Sequence, residues 1–148
     1  MRLLIDADGC PVVDICLGVV KDKNIGCHIF CDTSHEFSKD GAQVHVVPKG
    51  ADSADFALVN FIAKGDVVIT QDYGLASMAL SRGAYVINQD GLEYTEYNID
   101  ALLLARHTAK KIRNAGGRLK GNPKRTKMQD ENFKEKLLEL LEKTSKKC

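Results

Sequence analysis

Short apolar runs alternate along this chain with segments in which apolar residues recur at helical spacing. Leu3–Ile5 and Val67–Ile69 are uninterrupted apolar runs bounded by polar or turn residues, a pattern typical of buried strands in a parallel sheet. The predicted strands are Arg2–Ile5, Gly26–Cys31, Val44–Val47, Val67–Thr70 and Tyr85–Ile87.

Helical periodicity follows most of these strands. Pro11 suits the first turn of a helix, and Asp52 suits the cap of the next one. The predicted helices cover about residues 11–20, 52–62, 73–81, 98–115 and 129–143. Because strands and helices alternate, the sequence predicts a single α/β domain over residues 1–148, with three α/β/α layers around a mostly parallel central sheet.

The segment between the last two helices is basic and rich in turn residues. An extended basic loop over about residues 113–128 is indicated by the adjacent pair Gly116-Gly117 together with Gly121 and Pro123. The C-terminal helix, about residues 129–143, is amphipathic, with apolar residues at helical spacing on one face.

Composition narrows the class of protein. With 148 residues, of which 44% are hydrophobic and 28% charged, the chain is long enough to bury a single core. No apolar run approaches the roughly 18 residues of a membrane span, and the N-terminus enters a strand without a leader pattern. We therefore expect a cytoplasmic protein that does not bind a membrane. The five cysteines are odd in number and mostly in apolar segments, so we expect reduced thiols.

Charge is distributed unevenly, although the net charge is only +1. Residues 1–100 carry 15 acidic and 7 basic side chains, whereas residues 101–129 carry nine Lys and Arg and no Asp or Glu. This pattern is expected when cations occupy the core and phosphates contact the basic segment. A solvated loop explains the same residues equally well, because no aromatic residues interleave for base stacking. The candidate phosphate-binding residues are Arg113, Arg118, Lys120 and Lys124.

Aspartates stand where predicted strands end and where one helix begins. Asp6 and Asp8 follow the first strand, Asp72 follows Val67–Thr70, and Asp55 lies in the first turn of the second helix. Ligands of open α/β sheets bind beyond the carboxyl ends of strands, so we expect these carboxylates to converge. Converging carboxylates repel unless a proton or a metal intervenes, and oxygen ligands suit Mg²⁺ or Mn²⁺. We predict all four as catalytic, with Asp6, Asp55 and Asp72 as metal ligands.

Several of these aspartates also have a purely structural interpretation. Asp8 is suited to cap the helix after Pro11, and Asp72 is suited to cap the helix that begins at Tyr73. Asp90 precedes a glycine, which is an ordinary turn signal. The secondary site candidates are Asp52, Thr70, Gln71 and Asp90.

Two other chemistries are disfavoured. The four histidines show no zinc-ligand spacing, and no Cys-x-x-Cys occurs. Cys10 lies beside the Asp6–Asp8 pair, but no nearby histidine would activate it as a nucleophile. The predicted chemistry therefore needs no side-chain nucleophile.

Several longer motifs resemble those of a known family. The most specific are Asp6-Ala7-Asp8-Gly9-Cys10-Pro11-Val12, Asp52-Ser53-Ala54-Asp55 and Thr70-Gln71-Asp72-Tyr73-Gly74-Leu75-Ala76. With Tyr94-Thr95, Gly116-Gly117-Arg118 and Asp130…Phe133, they resemble the YaiI/YqxD family of uncharacterised bacterial proteins over nearly the whole chain. The segment 121–125 departs from the family, which more often has Gly-Pro-Lys-Pro there.

That family is similar to PIN-like domains, which are metal-dependent ribonucleases with acidic residues at strand ends. The resemblance implies a PIN-like fold, with Asp6, Asp55 and Asp72 as metal-site positions and Asp8 as their neighbour. We therefore predict a Mg²⁺- or Mn²⁺-dependent phosphodiesterase whose partner is RNA. One alternative is a haloacid-dehalogenase-like phosphatase, although Cys10 stands where such enzymes favour a hydroxyl residue. The other is a noncatalytic RNA- or nucleotide-binding module.

Overall fold

Six strands form one sheet in the computed structural model, which describes residues 1–32, 41–48, 53–114 and 124–145, without the side chains of 106–110 and 112–114. In chain order the elements are β1 (Arg2–Asp6), α1 (Val13–Lys23), β2 (Gly26–Asp32), β3 (Gln43–Val47), α2 (Ser53–Phe61), β4 (Val67–Ile69), α3 (Tyr73–Ser81), β5 (Tyr85–Ile87), β6 (Glu93–Tyr94), α4 (Ile99–Asn114) and α5 (Lys127–Ser145). The strand order is β3-β2-β1-β4-β5-β6, and only β6 pairs antiparallel. The predicted, mostly parallel α/β fold is confirmed.

The central strands are apolar on both faces because helices cover both. Successive side chains of a strand point to opposite faces. Leu3 and Ile5 belong to a buried cluster with residues of α1 and α5, whereas Leu4 belongs to a cluster with residues of α2, α3 and α4. The three-layer α/β/α arrangement is therefore confirmed, and the uninterrupted apolar runs follow from burial on both sides of the sheet.

Some element boundaries differ from those predicted. The first helix begins at Val13 and not at Pro11, and the second ends at Phe61. The strand β6, which the sequence pattern does not predict, has only two residues and pairs with the last part of β5. Two residues are too few to show an alternating pattern, so only pairing with β5 identifies this strand.

The two ends of the loop predicted over about residues 113–128 are helical in the described residues. Helix α4 continues to Asn114, and α5 begins at Lys127. The hydroxyl of Thr126 accepts the backbone N–H of Gln129 at 3.3 Å, and Oε1 of Gln129 accepts the N–H of Thr126 at 2.7 Å. This reciprocal pair is a capping box, so the Thr-x-x-Gln pattern was the signal for this helix start.

The expectations about the cysteines and about membrane spans can be compared with the described residues. There, Cys10, Cys16 and Cys27 are free thiols, and Cys16, Cys27 and Cys31 are buried, whereas Cys10 is half-buried. Among the same residues, no helix combines the length and apolar character that crossing a membrane requires.

The sheet order creates a crevice between β1 and β4. The chain passes from β1 outward through β2 to β3, and then returns to place β4 on the other side of β1. Connections leave this boundary in opposite directions, so a crevice opens beyond the carboxyl ends of the two strands. Asp6 ends β1, and Thr70 directly follows β4. Asp6 and Thr70 therefore lie at the position where α/β sheets bind ligands.

Candidate functional site

Hydrogen bonds of one buried hydroxyl join the ends of β1 and β4. The Thr70 hydroxyl donates to Oδ2 of Asp6 at 2.9 Å and accepts the backbone N–H of Asp72 at 3.0 Å. The hydroxyl uses its single proton in the first of these bonds. Thr70 therefore orients the carboxyl of Asp6 and holds the two strand ends together, at the edge where the sequence places it.

Asp6 has a strongly perturbed carboxyl group. Its pKa is raised from 3.8 to about 6, chiefly because the group is buried. The hydrogen bond from Thr70 lowers the pKa, and the charges of Asp8 and Asp72 raise it. A raised carboxyl pKa in a crevice, with like charges nearby, is typical of functional sites as well as of structural charge networks. Two of the other predicted catalytic aspartates, Asp8 and Asp72, are therefore close enough to Asp6 for their charges to act on its carboxyl.

Asp8 does not cap the following helix. No side chain makes a hydrogen bond at the N-cap of α1. Oδ2 of Asp8 instead accepts the backbone N–H of Asp32, at the end of β2, at 3.3 Å. The cap interpretation of Asp8 is therefore wrong, because its carboxylate joins the loop after β1 to the end of the neighbouring strand.

Asp72 does cap a helix, as its structural interpretation predicts. Its Oδ1 accepts the backbone N–H groups of Gly74 at 2.8 Å and Leu75 at 3.2 Å at the start of α3. The dipole of the helix stabilises a negative charge there. A carboxylate has two oxygens, so capping through Oδ1 is compatible with metal binding.

The position of Asp55 relative to the other aspartates stays a prediction. Asp55 is half-buried in the first turn of α2, a helix that contacts β1, β2 and β3. Asp52 lies outside the described residues. Within the ranges that the structure describes, no group of three or more His, Cys, Asp or Glu is arranged to hold a metal ion. The metal site itself is therefore a proposal.

A polar cleft of about 520 Å³ lies beside the loop after β1. The side-chain N–H of Gln71 donates to the carbonyl oxygen of Gly9 at 2.8 Å, so the cleft shares a wall with the loop that carries Asp8. The secondary candidates Gln71 and Asp90 both line this cleft. Its walls include Gln71, Tyr73, Gln89, Asp90, Tyr94 and Arg125.

Arg125 lines the cleft, and the sequence indicates it only as one cation of the basic segment, without its partners. Its Nη1 donates to Oδ1 of Asp90 at 2.7 Å, its Nε to Oδ1 of Asp130 at 2.6 Å, and its Nη2 to the carbonyl oxygen of Gln89 at 2.5 Å. These bonds tie the turn after β5 to the start of α5. The pairing with Asp90 spans 35 residues, so no local pattern predicts it.

Cys10 lies near Arg125 and near Asp6, which with Asp8 and Asp72 forms what we call the acidic edge of the sheet. Burial raises the pKa of its thiol, a hydrogen bond with the backbone of Val12 lowers it, and the charges of Asp6 and Arg125 act in opposite directions. A thiol with a raised pKa stays protonated at neutral pH and is a poor nucleophile. This agrees with the expectation that Cys10 is not catalytic.

The predicted phosphate-binding residues fall largely outside the described side chains. Lys124 is described and exposed. Arg113 belongs to α4, but its side chain is not described, and Arg118 and Lys120 lie outside the described residues. Their role stays a prediction.

The strand order and the acidic edge define an α/β protein with clustered carboxylates at the switch point of a parallel sheet. The chain belongs to the YaiI/YqxD family, described as uncharacterized, whose model matches residues 4–143. It is similar to the UPF0178 protein of Exiguobacterium sibiricum, with 47% identity over 141 residues that cover 95% of this chain and 96% of the relative. It is also similar to the UPF0178 protein of Ruminiclostridium cellulolyticum, with 48% identity over 138 residues that cover 93% and 90%. The family resemblance is confirmed, and the relation to PIN-like domains stays a prediction.

Proposed function

We propose that this protein is a Mg²⁺- or Mn²⁺-dependent phosphodiesterase that hydrolyses RNA. The observation that carries the proposal is the half-buried carboxyl of Asp6, with a pKa of about 6 that the charges of Asp8 and Asp72 help to raise, at the switch point of the sheet. Burial and like charges make ionisation of Asp6 unfavourable, and a divalent cation would reverse this effect. The resemblance to PIN-like ribonucleases supports the same reaction.

The donor set fits a hard divalent cation. Carboxylate oxygens of Asp6, Asp55 and Asp72 would hold the ion, with Asp8 as their neighbour. Thr70 orients Asp6, and backbone amides of α3 orient Asp72, so two of these carboxylates are restrained before any ion binds. When bound, such an ion lowers the pKa of a coordinated water and neutralises charge on the phosphate.

The protonation of Asp6 links this site to pH. Below about pH 6, the carboxyl of Asp6 holds a proton in the metal-free protein. Cation binding requires the ionised carboxylate, and metal affinity is therefore expected to rise with pH up to about 6 and to level off above it.

A noncatalytic RNA- or nucleotide-binding module is the second candidate. The observation that favours it is the use of Asp72 as a helix cap, which explains this aspartate without chemistry. In such a module the acidic residues would be caps and turn residues, and Mn²⁺ would neither bind them nor stabilise the fold.

Mn²⁺ titration of aspartate variants separates these two functions. Asp55→Asn and Asp72→Asn will each weaken Mn²⁺ binding, and the losses will be non-additive in the double variant because both residues share one ion. Asn preserves the acceptor that caps α3, so Asp72→Asn will change stability by less than about 0.5 kcal/mol, whereas Asp72→Ala will cost about 1 kcal/mol. Calorimetry measures the affinity, and RNA cleavage in Mn²⁺ or EDTA measures the activity.

Asp22→Asn is the matched control, because Asp22 is exposed on α1. It should leave Mn²⁺ affinity and cleavage unchanged. A wild-type protein that neither binds Mn²⁺ nor cleaves RNA would refute the proposed function. Wild-type affinity in both single variants would instead identify Asp55 and Asp72 as structural residues.

The basic segment predicts how RNA binding depends on salt. Replacing Arg113, Arg118, Lys120 and Lys124 by Gln will weaken binding almost equally for every RNA sequence. The salt slope will shrink by about 0.7 for each phosphate of a single strand that the variant no longer binds. Turnover at saturating RNA should change little, because such side chains position the backbone and carry no chemistry. Binding across a salt series, with a Lys21→Gln/Lys23→Gln control on α1, measures this. An unchanged slope would mean that the segment is a solvated loop.

A further inference from the structure

The cleft beside the acidic edge combines aromatic surface with side-chain amides. Tyr73 and Tyr94 contact each other edge to face, with their ring centroids 5.7 Å apart. The cleft volume of about 520 Å³ lies within the range of small-molecule sites. Aromatic walls with amide groups suit a planar ligand that has hydrogen-bond donors and acceptors along its edge.

The only described cation that lines this cleft is already neutralised. The guanidinium of Arg125 uses Nε and Nη1 in ion pairs with Asp130 and Asp90, at 2.6 and 2.7 Å, and Nη2 in a bond to Gln89. A phosphate there would meet a guanidinium whose charge two carboxylates already balance, and Asp90 would repel the anion. The charge distribution therefore favours an uncharged ligand over an anionic one.

Gln89 supplies a specific recognition group. Its Oε1 is buried and accepts no hydrogen bond from any group in the described residues. A buried acceptor without a donor is unfavourable, and a ligand N–H would remove this penalty. Gln129 offers the opposite group to a ligand. Its Oε1 already accepts a hydrogen bond in the capping box, so the side chain of Gln129 can offer a ligand only its amide N–H donors.

We propose that this cleft binds a nucleobase with an exocyclic amino group. The amino group would donate to Oε1 of Gln89, and the base would stack against Tyr73. The proposal rests on the proposed function, since it assigns the substrate class of the same site: a nucleic acid whose base occupies the cleft while the adjoining phosphate reaches the acidic edge. An uncharged planar ligand also satisfies the charge distribution around Arg125.

Nucleosides test the cleft separately from metal chemistry, because they have no phosphate. We would measure saturation-transfer NMR and dissociation constants in EDTA for two matched pairs: adenosine against purine riboside, and cytidine against uridine. Only the first member of each pair has the amino group. We expect the amino-bearing nucleoside to bind about 5-fold more tightly, as one added hydrogen bond to a buried acceptor implies.

Variants of Gln89 test whether this residue causes the preference for amino-bearing nucleosides. Gln89→Met removes the acceptor and should abolish the difference within each pair, whereas Gln89→Glu keeps an acceptor oxygen and should preserve it. Glu139→Gln is the matched control, since Glu139 lines a second cleft of about 520 Å³ between β6 and α5. This control should bind all four nucleosides as the wild type does.

The outcomes separate this proposal from the proposed function. Equal affinity within both pairs, or a difference that survives Gln89→Met in folded protein, would overturn the nucleobase assignment. Nucleoside preference without any Mn²⁺-dependent cleavage would refute the phosphodiesterase alone. Cleavage without nucleoside preference would refute the cleft proposal alone. Asp6→Asn should retain the nucleoside preference, because its carboxyl does not line the cleft.

Discussion

Asp6→Asn will make the metal-free protein more stable at pH 8 while it abolishes Mn²⁺-dependent cleavage. The pKa of Asp6 is about 6 in the folded protein, against 3.8 for an ordinary aspartate. Between these values the folded state binds more protons than the unfolded state, so the stability that Asp6 contributes falls as pH rises from about 4 to 6 and stays low above it. The difference between the two pKa values corresponds to about 3 kcal/mol of unfolding free energy. This is an upper bound for the stability that Asp6→Asn gains at pH 8, because asparagine does not ionise.

Unfolding in urea at pH 3.5 and pH 8, in EDTA, measures this effect. At pH 3.5 the gain should vanish, because Asp6 is largely protonated in both states. Asp22→Asn, at an exposed position of α1, should change stability by less than about 0.5 kcal/mol at either pH. A loss of stability at pH 8 would identify the Asp6 carboxylate as structural. Cleavage at the wild-type rate would show that the reaction does not use it.

Asp66→Asn will be among the most destabilising single changes in this fold, at about 3 kcal/mol. The buried carboxylate of Asp66 accepts the backbone N–H, Nε and Nη2 of Arg2 at 3.1, 3.3 and 2.6 Å, and the N–H of Ala63 at 2.8 Å. An amide would present N–H groups to some of these donors and leave the guanidinium without its counter-charge. We expect a loss of stability at the lower end of the range measured for broken buried ion pairs, because the Arg2 side chain is 31% exposed.

A double-mutant cycle with Arg2→Met tests this pair. The loss in Arg2→Met/Asp66→Asn should be smaller than the sum of the single losses, because each single change leaves one charged or polar partner unpaired. Asp66 precedes β4, at the opposite end of that strand from Thr70. The folded fraction of each variant should therefore cleave RNA at the wild-type rate. A cost below about 1 kcal/mol would contradict the structural role of Asp66.

The helices, the parallel strands and the position of the acidic edge could be predicted because each has a local signal. Val67–Ile69 is apolar at every position, since helices cover both sheet faces. Asp72 directly precedes a helix, and its capping bonds span only two and three residues. Asp6 and Thr70 each follow an apolar run, so their place at the carboxyl edge follows from chain direction alone.

Residues whose role depends on distant partners could not be predicted. The sequence indicates a turn at Asp66, but the ion pair joins residues 64 positions apart. His28 and His45, which have no ligand spacing, lie across β2 and β3 with Nδ1 and Nε2 3.0 Å apart. Asp8 is a residue type that often caps helices, yet its carboxylate accepts the backbone N–H of Asp32, 24 residues later at the end of β2.

The sequence by itself determined the class of fold and which end of the sheet carries the carboxylates, because apolar periodicity and chain direction are local properties. Only the tertiary structure decided which groups share an environment. The strand order brings Asp6 and Thr70 to one crevice, burial raises the pKa of Asp6, and the approach of α5 to the turn after β5 neutralises Arg125. Desolvation and charge pairing depend on distances between segments that are far apart in the chain, and those distances exist only after the layers have packed.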